Sequence, residues 1–196
     1  MKGIVFTEFL EMVEDVFGWE TADTIIEECD LESGGVYTAV GTYPHSEMVQ
    51  MVVKLSEISG ISIPDLLKTY GKHLFGRFSQ NYSDFFKGVD SAFDFLLGIE
   101  NYIHVEVRKL YPEAELPSFE YQRPSDSELI MLYRSERPFA DFAEGLIMGC
   151  IEHFNEEITI KRKDIGENPG HEAQFHLVLN PDIKHQTEIS NQVAAD

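Results

Sequence analysis

The chain has 196 residues, a length that suits one domain with a substantial core, and no apolar run approaches a membrane span. Its formal net charge of -20 argues against nucleic acid or an anionic membrane as a partner, because phosphate binding needs basic patches. Cys29 and Cys150 fit no metal or redox spacing and read as buried thiols in a reducing compartment; no basic-then-apolar signal opens the chain, so a cytoplasmic location is expected.

In the first half the pattern is helical. Val5, Phe9, Val13 and Val16 or Phe17 make an apolar stripe that stops before Gly18, and Thr21 to Cys29 reads as a second, shorter helix. Ser46 is placed to cap a helix through Met48, Met51, Val52 and Leu55 that ends at Gly60. Ser62-Ile63-Pro64-Asp65 is a helix start, and that helix carries Leu66, Leu67, Tyr70, Leu74 and Phe78 on roughly one side. Ser91 to Leu97 is a short helix. Gly98 separates it from the run Ile99 to Leu110, which bears His104 and is ended by Pro112.

The second half changes character. Ser118 to Arg123 and Leu129 to Ser135 read as strands joined by a turn at Pro124-Ser125-Asp126. Pro138 suits the first turn of a helix to about Phe154. Ile158 to Lys163 and Glu172 to Leu179 read as a second strand pair, turned by Gly166, Asn168, Pro169 and Gly170. The fold class is α+β: an N-terminal helical lobe, then an antiparallel sheet with one packed helix, in a single domain over 1–180. Residues 181–196 are polar and aperiodic and read as a loose tail.

Two features carry chemistry. Tyr133, Ser135 and Arg137 alternate along an extended segment, which puts two hydroxyls and a guanidinium on one face, suited to a pair of carboxylates or phosphates. His104 sits on its helix between the apolar residues Ile103, Val105 and Val107. A helical histidine able to face an apolar pocket, together with a clamp for a dianion, is what a buried haem needs: one ligates the iron, the other holds the propionates. His73 neighbours Leu74 in a helix, and His45, His153, His171, His176 and His185 lie in caps, the late helix, the late strands or the tail, so all are weaker ligand candidates.

The opening Met1-Lys2-Gly3-Ile4-Val5, the run Ile103-His104-Val105-Glu106-Val107-Arg108-Lys109-Leu110-Tyr111-Pro112, the Tyr-x-Ser-x-Arg segment and Ala143-Glu144-Gly145-Leu146 resemble the H-NOX family, the haem–nitric oxide/oxygen-binding domains, in order and spacing from about Met1 to about Leu179. The resemblance implies a haem b, ferrous protoporphyrin IX, between the two lobes. It implies His104 as the axial ligand, Tyr133, Ser135 and Arg137 as the propionate clamp, and Pro117 as a proline that presses on the porphyrin. Positions matching the distal pocket are Val5, Phe9, Leu74, Phe78, Phe142 and Leu146, none of them a hydrogen-bond donor.

Oxygen-binding members of that family carry a tyrosine five residues after the clamp arginine; here the position is Phe142. The resemblance therefore implies a non-catalytic sensor for nitric oxide, also able to take carbon monoxide. It would signal through release of His104 and relaxation of haem and lobes to a separate partner, a sensor histidine kinase or a cyclic-di-GMP enzyme. An oxygen sensor or carrier is the alternative, with Tyr70, one turn before Leu74, as the residue whose hydroxyl could reach the pocket edge. A peroxidase would need a distal acid–base group that these positions lack, and a haem-free scaffold would require His104 and Arg137 to have other roles. Some relatives hold a structural zinc through Cys and His near the late helix and final hairpin. Here the matching stretches carry no Cys, and Asp141, Asp164 and His171 suit such a site poorly, so no zinc is expected.

Overall fold

Gly18 and Gly60 divide the N-terminal third into helices. Helix α1 (Gly3–Phe17) ends at Gly18, α2 (Trp19–Glu28) starts directly after it, and α3 (His45–Ser59) stops at Gly60. Gly60 has φ 73°, a left-handed conformation that glycine adopts without steric cost. In helix α4 (Ile63–Asn81) the Ser62 hydroxyl accepts from the Asp65 amide and donates to the Asp65 carboxylate at 2.6 Å. The computed structural model describes residues 1–180; the expected tail from Pro181 lies outside the described residues.

A single 3₁₀ turn (Ser83–Phe86) leads to α5 (Ala92–Leu97), a wide π-type turn (Ile99–Ile103) and α6 (His104–Leu110). Strands β1 (Ser118–Ser125) and β2 (Glu128–Arg134) follow, then α7 (Ala140–His153), β3 (Ile158–Ile165) and β4 (Glu172–Leu179). The strands form one antiparallel sheet in the order β1-β2-β4-β3. The α+β reading of the sequence is the observed fold.

Each lobe has its own core. Phe6, Phe9, Met12, Val13, Ile25, Met51 and Leu55 fill the helical lobe. Leu129, Met131 and Tyr133 of β2 alternate inward beside Ala173, Phe175 and Leu177 of β4, against Phe93, Leu96 and the buried face of α7. Burying each large apolar side chain contributes about 1.5–3 kcal/mol. The lobes join where α4 crosses α7. A methyl group on Gly71 would lie 2.7 Å from the Leu146 amide nitrogen, and one on Gly149 would lie 2.7 Å from Phe75 Cβ. One on Gly145 would meet the Lys68 carbonyl. Glycine at these positions is what lets the two backbones approach so closely.

Local expectations shift where long-range contacts set an element's start. Helix α3 begins at His45 behind Pro44, so Ser46 lies inside the helix and is not its cap. Helix α7 begins at Ala140, whose amide donates to the Gly170 carbonyl at 3.0 Å, so Pro138 precedes the helix. Strand β1 runs through Pro124 to Ser125 with an irregular register, and the turn is Asp126-Ser127. A proline is tolerated there because β1 is an edge strand. No helix among the described residues is long and apolar enough to cross a membrane.

Candidate functional site

His104 opens α6 and is buried. The π-type turn before it is closed by the Gly98 carbonyl, which accepts from Tyr102 N at 2.9 Å and Ile103 N at 3.3 Å. Glu100, one turn back, sets its Oε1 3.0 Å from His104 Nδ1. Burial pulls the imidazole below its ordinary pKa, against the opposing carboxylate of Glu100, and Arg108 adds to the lowering. A neutral ring is the form that ligates metals. Phe119 lies beside it, with ring centroids 6.2 Å apart, and Tyr133 packs on Phe119 at 5.6 Å.

Of the three expected clamp residues only Tyr133 lies on a strand. Strand β2 ends at Arg134, the Ser135 amide donates to the His171 carbonyl at 2.9 Å, and the Ser135 hydroxyl accepts from the Arg137 amide at 3.0 Å. This serine-closed turn keeps Arg137 within electrostatic reach of Tyr133. Burial raises the Tyr133 phenol's pKa, opposed by the Ser135 hydroxyl and the charges of Arg137 and Arg162. The Arg137 guanidinium is largely buried; its Nη1 donates to the Glu115 carbonyl oxygen at 3.1 Å and its Nη2 pairs with the Glu115 carboxylate. Glu115 and the half-buried Pro117 both lie on the segment between α6 and β1.

The expected distal residues come together. Phe9 and Leu74 belong to the helical lobe's core, and Val5, Phe78, Phe142 and Leu146 pack against it. Tyr70, fully buried, stacks on Phe142 with centroids 5.1 Å apart and meets Phe9 edge-on at 5.2 Å. Its hydroxyl donates to the Val5 carbonyl oxygen. Met1, Val5, Met48, Leu67, Tyr70, Phe139 and Phe142 enclose an apolar crevice of about 10 Å³. The Met1 amino group donates to the Tyr43 carbonyl at 2.7 Å, and its pKa is lowered first by burial and next by Arg137. Met1 thus lines the crevice and lies within electrostatic reach of Arg137.

The donor set fits a haem: a neutral buried imidazole, a guanidinium that already grips a carboxylate, and apolar walls. The crevice is far smaller than a porphyrin, so a macrocycle is accommodated only where these side chains part.

The other histidines are placed elsewhere. His171 Nδ1 lies 3.1 Å from the Ser135 carbonyl, His176 is 3.4 Å from Glu128, and His153 packs on Phe86 at 4.6 Å. His45 stands edge-on to Phe139 at 6.3 Å, with its pKa lowered by burial and then by Arg137. The Nε2 of His73 is buried without a hydrogen-bond partner among the described residues. Asp141 and Asp164 both bond Arg162, at 2.5 and 2.6 Å, beside Glu144 at 3.3 Å.

Sequence reading missed three participants. Glu100 was findable, since an acid one turn before a helical histidine shares its face. Glu115 and the Met1 amino group leave no local signal; only the tertiary fold brings them to Arg137.

Residues 2–162 match the family model described as Haem-NO-binding. The Fe(II) unliganded H-NOX protein from K. algicida is 44% identical, with a TM-score of 0.88 over 93% of this chain and 98% of that one. The H-NOX protein from S. oneidensis, solved in the Fe(II)NO state, is 27% identical, with a TM-score of 0.84 over 92% of this chain and 99% of that one. A curated relative, soluble guanylate cyclase 89Db of Drosophila melanogaster, is 29% identical over 140 residues. That match takes in 70% of this chain and spans only 20% of the cyclase.

Proposed function

The chain belongs to the Haem-NO-binding family, whose H-NOX domains are haem-based gas sensors, and from that premise we propose that it senses nitric oxide at a ferrous haem b and signals to a separate protein. The observation that carries the reading is the apolar distal cluster around Phe142, in which the Tyr70 hydroxyl is committed to the Val5 carbonyl. Oxygen is retained by a hydrogen-bond donor, whereas nitric oxide and carbon monoxide bind without one. Bound haem supplies the iron that takes the gas.

The chain's own residues do the rest. His104 would hold the iron through Nε2, since Nδ1 is held by Glu100. Arg137 grips propionate oxygens with charge-assisted bonds, and the Tyr133 and Ser135 hydroxyls complete the clamp. Pro117, half-buried on the α6–β1 segment, would press on the macrocycle. Val5, Phe9, Leu74, Phe78, Phe142 and Leu146 exclude water and polar donors from the gas side. His104 sits at the start of α6, so a change in its hold on the iron would be passed to that helix and the lobes, and a partner, a sensor histidine kinase or a cyclic-di-GMP enzyme, would read the altered surface.

The test is reconstitution with haem followed by absorption spectroscopy of the reduced protein. Nitric oxide and carbon monoxide should each shift the ferrous spectrum. A protein that takes up no haem, or whose ferrous spectrum neither gas moves, would overturn the reading.

A further inference from the structure

Glu100 does more than sit beside His104. Its Oε1 lies 3.0 Å from His104 Nδ1 and also accepts the backbone N–H of Phe119 at 2.9 Å. One oxygen therefore ties the helix that bears the histidine to the first residues of β1. Both side chains are withdrawn from solvent, His104 at 10% and Glu100 at 22% exposure. The amide can only donate, so it fixes this oxygen as an acceptor. The ring nitrogen facing the same oxygen then carries the proton, and the lone pair is left on Nε2. Glu100 belongs to the widened turn Ile99–Ile103, and His104 follows it directly.

We propose that Glu100 is a positioning residue for His104: it holds the Nδ1–H tautomer, fixes the ring's orientation and raises the basicity of Nε2 toward the iron. This rests on His104 being the haem ligand. A carboxylate on the far nitrogen of a ligating imidazole pushes electron density toward the metal, and losing such a partner typically costs about 10–100-fold in metal affinity or activity. The shared oxygen gives Glu100 a second effect. Movement of His104 changes the hydrogen bond that the start of β1 relies on, so the ligand's position is coupled to the sheet as well as to α6.

The experiment compares the parent with Glu100→Gln and Glu100→Ala by three readouts. In the haem-free protein, nitrogen NMR should show His104 as the Nδ1–H tautomer, and Glu100→Ala should shift it toward Nε2–H. In the reduced haem protein, the iron–histidine stretching frequency should fall in Glu100→Gln and fall further, or disappear, in Glu100→Ala. The ferric/ferrous potential should rise in the same order. Glu100→Gln keeps an acceptor for Phe119 N–H without the charge, so it remains informative if Glu100→Ala does not fold. Parent values of frequency and potential in folded Glu100→Gln would overturn the proposal. If His104→Ala keeps the parent's ferrous spectrum, the ligand assignment itself fails, and that outcome is distinguishable from failure of the Glu100 role alone.

Discussion

The Tyr70 hydroxyl donates to the Val5 carbonyl oxygen while the Tyr70 ring lies stacked on Phe142, 5.1 Å between centroids. The phenol is fully buried and its pKa is raised well above the ordinary value by burial, so it stays protonated and keeps this bond. The hydroxyl that could have favoured oxygen is thus turned to the backbone of α1. Phe142→Tyr places a hydroxyl where oxygen-binding relatives carry one, and should give measurable oxygen affinity or slower oxygen release in stopped-flow measurements. Tyr70→Phe should leave gas selectivity unchanged and cost about 1 kcal/mol of stability for the lost hydrogen bond. If the parent binds oxygen stably and Tyr70→Phe abolishes it, Tyr70 is a donor after all.

Removing the proposed ligand should remove the cofactor. His104→Ala is expected to lose haem or hold it weakly, with added imidazole restoring occupancy and the visible spectrum. A parent-like ferrous spectrum without imidazole would transfer the role to another residue, with His73, whose buried Nε2 has no hydrogen-bond partner among the described residues, the first to examine.

Arg137 and Glu115 make opposing predictions. Arg137→Ala withdraws a charge-assisted contact worth about 1.5–3 kcal/mol, so haem transfer to apomyoglobin should be at least roughly tenfold faster. Glu115 holds the same guanidinium and competes with a propionate for it. Glu115→Gln should therefore slow haem loss. Equal transfer rates in Arg137→Ala and parent would place the propionates elsewhere.

The contact between lobes can be tested apart from the haem. Gly145→Ala puts a methyl group against the Lys68 backbone, with the Lys68 Cα only 2.8 Å away, and neither helix backbone can yield cheaply. Overpacking of this kind typically costs about 1–3 kcal/mol. Chemical denaturation should show a lower midpoint, whereas Gly76→Ala, on α4 with open space around it, should not destabilise.

Much of this molecule is legible in its sequence, for identifiable reasons. The apolar stripe of α1, the start of α4 at Ser62 and the short helix from Ser91 to Leu97 were legible, because these signals are local; the structure makes Ser91 the cap of α5 and not its first residue. The distal positions came from the family resemblance and not from periodicity, and the fold brings Val5, Phe9, Leu74, Phe78, Phe142 and Leu146 to one cluster. What was not legible is tertiary. The start of α7 depends on Gly170, 30 residues further along than Ala140. The clamp's shape depends on a turn closed by the Ser135 hydroxyl, which alternation along a strand cannot anticipate. The π-type turn before His104 reads in sequence as ordinary helix, because i→i+4 and i→i+5 bonding leave nearly the same apolar pattern over one turn.

The central claim, that a distal wall without a free donor selects nitric oxide over oxygen, is tested most directly by exposing the reduced haem protein in parallel to air and to nitric oxide and recording absorption spectra. A complete nitric oxide complex and no stable oxygen complex are predicted. A long-lived oxygen complex of the unmodified protein in air would contradict it.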